Sequence, residues 1–393
     1  MSYINTLILD AGFSAGPIIH AAVDLGAIVG VCSGKAGDPG HQIAHRSFVM
    51  DYSQIDRVMS LARQENISAL LPGVTDVSYL SGAYVAAHLG LPGFDAPDTA
   101  DILFKKDRFR RYAKRQGLPI PHAVTSLHQA GELRFPVLVK PADAYSGRGI
   151  VMVEDAASME TAYHAALAES TSGEVVIEEF KRGRLHSHSA FVRDGRIVCE
   201  FYVDEFCTVY PYQVNSSCLS AQMSESLKNQ VSECIQHIIT DLQLCDGLVH
   251  TQFIASGEDF WLIELTRRCP GDLYSLLIQY ATGVPYAAWF AAPFLGHDLP
   301  IAEKRPPIAR FIARHTVSSA EDTTYFSLRC QHEECRIIAA VPLKKCGESL
   351  QAAPFDRAAI LFSEFADETL MLRHTPSLKN HFTINSRLTE RLP

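Results

Sequence analysis

The stretch VLVKPADAYSGRG, residues 137–149, joins an apolar strand-like run to a glycine-rich loop. Lys140 comes near the end of the run, and Gly147 and Gly149 follow in the loop. A lysine ammonium meets phosphate oxygens as a point charge, and glycine lets backbone N–H groups approach phosphates closely. The stretch therefore favours a nucleotide-binding site, although a lysine at a strand end is by itself more often simply solvated.

Three other segments accompany this stretch in an informative order. A basic helix-like segment, KKDRFR (residues 105–110), precedes it. An apolar strand ending in two acids, VVIEEF (175–180), follows it, and ELTRR (264–268) lies further along. Backbone groups at the end of such a strand can bind an adenine edge, and carboxylates provide the hard oxygen ligands that Mg²⁺ prefers. Each segment alone is weak evidence, and the order of the four carries the prediction.

In this order the segments resemble the ATP-grasp superfamily, of the carboxylate–amine ligase type (carbamoyl-phosphate-synthase-like ATP-grasp proteins). The resemblance covers the chain from about residue 1 to residue 300. It is specific in the arrangement of the segments and moderate in individual residues. It implies ATP and Mg²⁺ as cofactors.

The resemblance also implies which residues contact ATP. Two lysines contact the phosphates, a flexible loop closes over them, and a linker after the acidic strand holds adenine. These residues are Lys106, Lys140, Ser146, Gly147, Gly149, Glu178, Glu179, Phe180 and Lys181.

The last segment supplies the implied metal and catalytic residues. Glu264 matches the carboxylate that bridges magnesium, with Gln252 and Thr266 as the other metal contacts. Arg268 matches the arginine that steadies the transferred phosphate, and it is the implied catalytic residue together with Lys140. The family usually has an acid where Gln252 stands and Asn where Thr266 stands. The loss of a negative charge at Gln252 predicts weaker magnesium binding.

Three histidines are further candidates for the site. The family's ribose-binding Glu aligns with Leu185, so His186 or His188 is a candidate for that part, and either could equally be a structural histidine. His250, on the strand with Gln252, either faces the site or is a hydrogen-bonded core histidine. Cys269 is expected to pack in the core, because no partnering base can be identified for it.

Three residues are predicted to contact substrate: Arg267, Asp272 and Asp76. Asp272 either binds a substrate amine or caps the helix that begins near Leu273, and the cap is slightly favoured. Asp76 is included because open α/β sheets bind ligands outside the carboxyl ends of their strands. Specificity is expected from residues 202–217 and 267–274.

The predicted fold class is α/β and α+β. Strands alternate with helices in the first hundred residues, which predicts a doubly wound parallel sheet. A single helix is predicted from about Ile102 to Gln116. The predicted division is an N-terminal α/β domain at 1–100, an ATP-grasp core at 101–300 and a small C-terminal subdomain at 301–393.

Composition disfavours several classes of protein. A formal net charge of −9 disfavours a nucleic-acid binder. No apolar stretch reaches the length of a membrane span, and the ten scattered cysteines are expected to be reduced thiols in a cytoplasmic protein. Cys330, His332 and Cys335 form at most half of a zinc site, which is disfavoured.

The superfamily that the chain resembles often forms dimers, which makes a homodimer an open alternative.

The predicted function is ADP-forming ligation of a small carboxylate, such as an amino acid, to an amine through an acyl-phosphate. The main alternative is a non-catalytic nucleotide-binding protein with a weakened metal site, motivated by Gln252, Thr266 and Leu185. A second alternative is an acceptor other than an amine. A nicotinamide-dependent dehydrogenase is disfavoured, because the loop after the first strand does not fit GxGxxG.

Overall fold

A parallel four-stranded sheet with flanking helices forms the first part of the chain. The computed structural model describes residues 4–143, 147–300, 303–331 and 334–387. The strand order is β3-β2-β1-β4, so the carboxyl ends of all four strands lie at one edge. The elements are β1 (Ile4–Leu9), α1 (Gly16–Asp24), β2 (Ala27–Ser33), α2 (Gly40–Ile43), β3 (Arg46–Val49), α3 (Ile55–Gln64), β4 (Ala69–Pro72) and α4 (Asp76–Leu89).

Strand β3 was not predicted, because it is a mostly exposed edge strand without an apolar pattern. The predicted single helix from Ile102 to Gln116 is also wrong. It is two helices, α5 (Pro97–Phe104) and α6 (Lys106–Arg115), separated at Lys105, whose backbone is extended. Lys106 is consequently the first residue of α6.

A small antiparallel sheet contains the lysine strand. Its order is β5-β8-β6-β7, and α7 packs on one face through residues such as Met159 and Ala166. Val137, Val139 and Ile177 fill the same core. Because successive side chains on a strand point to opposite faces, Lys140 points away from this core. The elements are β5 (Ala123–Val124), β6 (Val137–Pro141), β7 (Val151–Val153), α7 (Met159–Glu169) and β8 (Val175–Glu179).

The rest of the chain builds an eight-stranded antiparallel sheet of order β13-β12-β9-β10-β11-β14-β19-β17. Two two-stranded sheets, β15-β18 and β16-β20, accompany it. The elements are β9 (Arg184–Arg193), β10 (Arg196–Phe206), β11 (Ser216–Leu219), α8 (Glu225–Asp241), β12 (Gly247–Ser256), β13 (Asp259–Thr266), α9 (Tyr274–Thr282), α10 (Tyr286–Ala291), β14 (Phe311–Val317), β15 (Thr323–Tyr325), β16 (Ser327–Cys330), β17 (Cys335–Pro342), β18 (Glu348–Leu350), β19 (Ala359–Phe365), α11 (Glu368–His374) and β20 (Phe382–Asn385).

One hydrophobic core joins the first sheet to the largest one. Ile18 and Ala22 of α1 belong to the same buried cluster as Phe290 of α10 and Phe201 of β10. This packing holds the carboxyl edge of the parallel sheet beside strands β12 and β13. The loops of the parallel sheet therefore face the polar side chains of β12 and β13 in the largest sheet.

The predicted fold class is confirmed, with a parallel α/β part and a large antiparallel part. The division at residues 100 and 300 remains a proposal, and β14, β17 and β19 continue the large sheet beyond residue 300. In the described ranges no helix is both long and apolar enough to cross a membrane. All ten cysteines are free thiols. The described residues hold no group of three or more His, Cys, Asp or Glu arranged for a metal, and His332 of the disfavoured zinc half-site lies outside them.

Candidate active site

A large cleft lies where the three sheets meet, with a volume of about 2010 Å³. Pockets for one drug-sized ligand measure roughly 300–1,000 Å³, so the cleft has room for more than one small molecule. Lys106, Lys140, Glu264, Arg268 and Asp76 all contribute to its wall. The sequence-predicted lysines and acids thus come together in space.

A buried ion cluster forms the floor beside the lysine strand. Lys140 Nζ donates to Glu178 Oε1, while Arg110 donates to Glu178 Oε2 from Nε at 3.1 Å and from Nη2 at 2.9 Å. Burial alone would raise the pKa of Glu178, but the two cations outweigh it and hold the pKa at about 2. Burial likewise lowers the pKa of Lys140, against the attraction of Glu178. Arg110 was not predicted, because its partner lies 68 residues away along the chain.

The ion cluster limits which groups of the predicted adenine linker can contact a base. The Glu178 carboxylate is occupied by the two cations, so its side chain does not reach a nucleotide base. The N–H of Glu179 donates to His122 O at 2.9 Å, and the N–H of Phe180 donates to Pro136 O at 3.0 Å. An adenine contact by this segment must therefore come from other backbone groups, such as those of Lys181.

Lys106 stands near the same cluster from the opposite wall. It opens α6, and its ammonium lies 3.5 Å from Ala142 O, just beyond strand β6. It is close enough to Lys140 to help lower that lysine's pKa. Lys106, Lys140 and Arg110 face the single acid Glu178, which leaves this end of the cleft positive and suited to phosphates.

A β-bulge aims Glu264 into the cleft. Gln252 pairs with Glu264 and Phe253 pairs with Leu262, which leaves Ile263 as an extra residue in β13. The bulge lets Leu262 and Leu265 both pack in the core while Glu264 lines the cleft. The extra carbonyl is satisfied, because Arg110 Nη2 donates to Ile263 O at 2.7 Å.

Glu205 on β10 is a site residue that the sequence did not reveal. Gln252 Nε2 donates to Glu205 Oε2 at 2.5 Å, and Glu205 lines the cleft with Glu264. Burial raises the pKa of Glu205; Arg314 opposes this, and Glu264 adds to it. The carboxyl group that is missing at Gln252 is thus present on the neighbouring side chain. Thr266 is buried, and its hydroxyl accepts the Arg268 N–H at 3.3 Å.

Arg268 links this region to the first sheet. Its Nε donates to Asp76 Oδ1 at 2.7 Å, and Asp76 is the first residue of α4. Burial lowers the pKa of Arg268, but Asp76 and Glu264 outweigh the burial and raise it. Both residues line the cleft, and their roles in catalysis and substrate binding stay predictions.

Arg267 is not a substrate contact, and that prediction is wrong. The residue is 2 % exposed and is absent from the cleft lining. Its Nε donates to Asp95 Oδ2 at 2.7 Å, and its Nη1 donates to Leu248 O at 2.8 Å. Both arginines follow the last residue of β13, and the ion pair with Asp95 holds the Arg267 side chain away from the cleft that Arg268 lines.

Asp272 lies in the cleft, but the favoured helix cap is wrong. Helix α9 begins at Tyr274 with Leu273 before it, and no side chain caps it. The Asp272 carboxylate instead accepts from Arg357 Nε at 2.9 Å and from Thr316 Oγ1 at 3.0 Å. Both partners come from the C-terminal ninety residues, which sequence motifs did not address.

The three histidines are all buried, but His186 and His250 still line the cleft. His188 is wholly buried against Glu200 at 3.1 Å, which excludes it from a ligand contact. His186 and Leu185 line the cleft, and His186 Nδ1 is 2.9 Å from Asp204 Oδ1. His250 is 2.8 Å from Ser189 Oγ, and burial lowers its pKa well below the usual range.

Sequence comparison is informative once this geometry is known. The model of the family "Carbamoyl-phosphate synthase L chain, ATP binding domain" matches residues 106–302, half of the chain. The chain belongs to this family. The match begins at the first residue of α6 and includes Lys140, Glu264 and Arg268.

Relatives of this ATP-binding family differ in overall length. The chain is 24 % identical over 255 residues to the carbamoyl phosphate synthase large chain of Vibrio parahaemolyticus, covering 62 % of this chain and 23 % of that protein. It is 24 % identical over 280 residues to the formate-dependent phosphoribosylglycinamide formyltransferase of Burkholderia pseudomallei, covering 68 % and 69 %. The chain thus spans about a quarter of the first relative's length.

A solved structure extends the likeness to the whole fold. The L-amino acid ligase from Bacillus licheniformis superimposes with a TM-score of 0.79 at 16 % identity, covering 99 % of this chain and 100 % of that one. The family's ATP-binding region therefore sits here in the same fold as in that ligase. Asp76, Arg314 and Arg357 lie outside the matched residues 106–302.

The glycine-rich loop of the ATP-binding region packs against a second loop. Gly147 and Gly149 have φ values of +72° and +67°, and a side chain at Gly147 would meet the Tyr212 backbone at 2.5 Å. The Tyr210 hydroxyl donates to Gly147 O at 3.2 Å. Ser146, also predicted to contact ATP, lies outside the described residues. The glycines are therefore needed both for the turn and for the close contact.

Cys269 packs in the core as expected. It is 1 % exposed, and burial raises the pKa of its thiol to about 12, against the nearby Arg268. A thiol that stays protonated is a poor nucleophile. Cys269 is therefore excluded from the chemistry of the ATP-binding cleft.

Proposed function

We propose that the chain is an ATP-dependent ligase that joins a small carboxylate to an amine and releases ADP and phosphate. The observation that carries this proposal is the convergence of Lys106, Lys140, Glu264 and Arg268 on one cleft. Support comes from the family membership, from a relative named a formate-dependent formyltransferase and from a structural neighbour named an L-amino acid ligase. An amino acid is the favoured carboxylate substrate.

The positive end of the cleft holds the triphosphate. Lys106 and Lys140 contact the phosphates as point charges, and the loop at Gly147 and Gly149 offers its backbone to them. Lys140 is already fixed by Glu178, so binding ATP requires little reorganisation of that side chain. Preorganised charge of this kind is worth more than charge that must be reoriented.

The acidic end fits magnesium. Glu264 and Glu205, with the Gln252 amide between them, form a set of hard oxygen groups with two carboxylates. Mg²⁺ usually takes one or two carboxylates together with phosphate oxygens and water. The pKa of Glu205 is raised partly by Glu264, and a cation would relieve this repulsion. When bound, the metal supplies neutralisation of negative charge on the phosphate oxygens.

The reaction proceeds in two displacements. An oxygen of the substrate carboxylate attacks the γ-phosphorus, and the bond from that phosphorus to the ADP oxygen breaks. The amine nitrogen then attacks the acyl carbon of the acyl-phosphate, inorganic phosphate leaves, and the nitrogen loses a proton. Arg268, held by Asp76, stabilises the charge that develops on the transferred phosphoryl oxygens.

The alternative is a non-catalytic ATP-binding protein, motivated by Gln252 in place of an acid. Glu205 weakens this alternative, because it supplies a carboxyl group 2.5 Å from the Gln252 amide.

We also propose a cytoplasmic location, supported by the ten free thiols, and a three-part division of the chain at residues 100 and 300. A homodimer remains an alternative to a monomer.

The decisive experiment is ADP release with ATP and Mg²⁺, screened against pools of amino acids and other small carboxylates, with and without amines. ADP that appears only with one carboxylate supports the ligase and identifies its first substrate. ATP binding without ADP release in any pool would favour the non-catalytic alternative. Absence of ATP binding would refute the proposal.

A further inference from the structure

The loops of the parallel sheet form a second region of the cleft, which lies outside the family-matched residues 106–302. The loops follow β1, β2, β3 and β4 and meet because the carboxyl ends of parallel strands share one edge. Four of their polar side chains line the cleft and together are called the loop subsite: Asp10, Ser14, Asp38 and Asp51.

The loops are packed around the carboxylate of Asp10. Its Oδ1 accepts the Gly12 N–H at 2.8 Å, and its Oδ2 accepts the Val74 N–H at 3.0 Å. A side chain at Gly73 would come within 2.0 Å of Asp10 Cβ, so the loop after β4 lies directly on this residue. Loop N–H groups at such an edge commonly bind phosphate. Here two of them are already used by an internal acid, which disfavours an anion.

The remaining charges of these loops are also mainly negative. Asp38 accepts from Ser33 Oγ at 2.5 Å, and Asp51 accepts from the Ser53 N–H at 2.9 Å. Across residues 10–16, 33–40, 51–54 and 73–76, Lys35 is the single Lys or Arg. Asp76, the fourth acid, is paired with Arg268 and connects the loop subsite to the transfer centre.

Ser14 provides independent evidence for a ligand. It is 6 % exposed, and its hydroxyl has no hydrogen-bond partner within the part of the chain that the structure describes. It nevertheless lines the cleft. A buried hydroxyl without a partner is costly, so its position marks a place where a bound molecule supplies the missing hydrogen bond.

We infer that the loop subsite binds the cationic amine substrate of the ligation, a molecule with a primary ammonium group and no phosphate. The inference rests on the proposed function and specifies one of its substrates. The ammonium donates to the carboxylates of Asp38 and Asp51, and Ser14 supplies a further polar contact. Asp10 shapes the loops from beneath by accepting the Gly12 and Val74 N–H groups.

The test is a calorimetric titration of the full chain with glycinamide, which is a cation at neutral pH. N-acetylglycinamide, its neutral counterpart, and inorganic phosphate are titrated in parallel. The variants are Asp38→Asn and Ser14→Ala, with Asp56→Asn as the control, because Asp56 is an exposed acid on α3 away from the cleft. The same proteins are titrated with ATP.

The expected result is that glycinamide binds and that Asp38→Asn weakens this binding about tenfold, as the loss of one charge-assisted hydrogen bond predicts. Ser14→Ala weakens glycinamide binding less, and Asp56→Asn leaves it unchanged. N-acetylglycinamide does not bind in this way, and the affinity for ATP is the same in all the variants. Equal glycinamide affinity in Asp38→Asn and wild type, or binding of phosphate that Asp38→Asn strengthens, would overturn the inference. ATP binding without glycinamide binding refutes only this inference, whereas failure of ATP to bind refutes the proposed function.

Discussion

The two halves of the cleft use charge in opposite ways. In the family-matched half, Lys140 and Arg110 are held by one buried acid, Glu178, and the surplus charge is positive. In the loops of the parallel sheet, the buried Asp10 accepts hydrogen bonds from two backbone N–H groups. The other charged side chains of these loops are mainly acids. The difference is consistent with the two proposals above, phosphates in one half and a cationic amine in the other. Single substitutions in the family-matched half test this contrast.

The largest expected effect follows from removing the cation that ties three elements together. Arg110→Ala leaves Glu178 with one partner and the Ile263 carbonyl without its donor. Loss of one partner from a buried pair costs about 3–5 kcal/mol of folding free energy. Urea unfolding measures the change. The control is Arg108→Ala on the same helix, whose exposed salt bridge to Asp101 is worth about 0–1 kcal/mol. Equal losses in both variants would show that the cluster is not a special anchor.

The next effect concerns catalysis at the junction between the halves. Arg268→Ala is expected to lower the kcat of ADP release by about 10²–10³, as is typical for one group aimed at developing charge. ATP affinity should change much less, because the lysines hold the phosphates. Arg310→Ala, a partly exposed arginine paired with Glu364, serves as the control. An unchanged kcat in Arg268→Ala would exclude it from the transfer step.

The buried acid of the phosphate half predicts a pH dependence of stability. The pKa of Glu178 is held at about 2, below its ordinary value of 4.5. Its ionised form therefore contributes stability that is fully present above pH 4.5 and is lost as the pH falls toward 2. Unfolding free energies measured across this interval should fall more steeply in wild type than in Glu178→Gln. The exposed Glu233→Gln variant should follow wild type, and parallel slopes in all three would contradict the assignment.

The smallest effect tests whether the phosphate half tolerates another acid. Gln252→Glu removes the amide that donates to Glu205 and places a third carboxylate beside Glu205 and Glu264. In an adapted enzyme the repulsion should leave ADP release unchanged or reduced by up to about tenfold, corresponding to roughly 1.4 kcal/mol. A clear gain in magnesium affinity and turnover would instead indicate a weakened site. Magnesium titration of ATP turnover distinguishes the two.

Much of the site was predictable because its chemistry is carried by short local patterns. Lys140 ends an apolar strand, Glu264 and Arg268 flank the end of another, and Lys106 opens a helix. Secondary structure alone places such residues at the edges of elements, where ligands bind. The fold class followed from the alternation of strands and helices in the same way.

The errors came from contacts between distant segments. Arg267 was predicted in the cleft beside Arg268, but it pairs with Asp95, 172 residues away. Asp272 was favoured as a local cap and instead binds Arg357, 85 residues later. Both were interpreted from neighbouring residues, and neither partner is a neighbour in the sequence.

The fold class, the order of the nucleotide-binding segments and cleft residues such as Lys106, Lys140 and Glu264 follow from the sequence alone. These depend on local periodicity and on the chemistry of individual side chains. Three further features depend on contacts between distant segments. Arg110 fixes Glu178, Glu205 places a carboxyl group beside Gln252, and Ser14 lies in the cleft with no hydrogen-bond partner among the described residues. The physical reason is that burial and ion pairing depend on which segments meet in space, and strand order brings together residues that no local pattern connects.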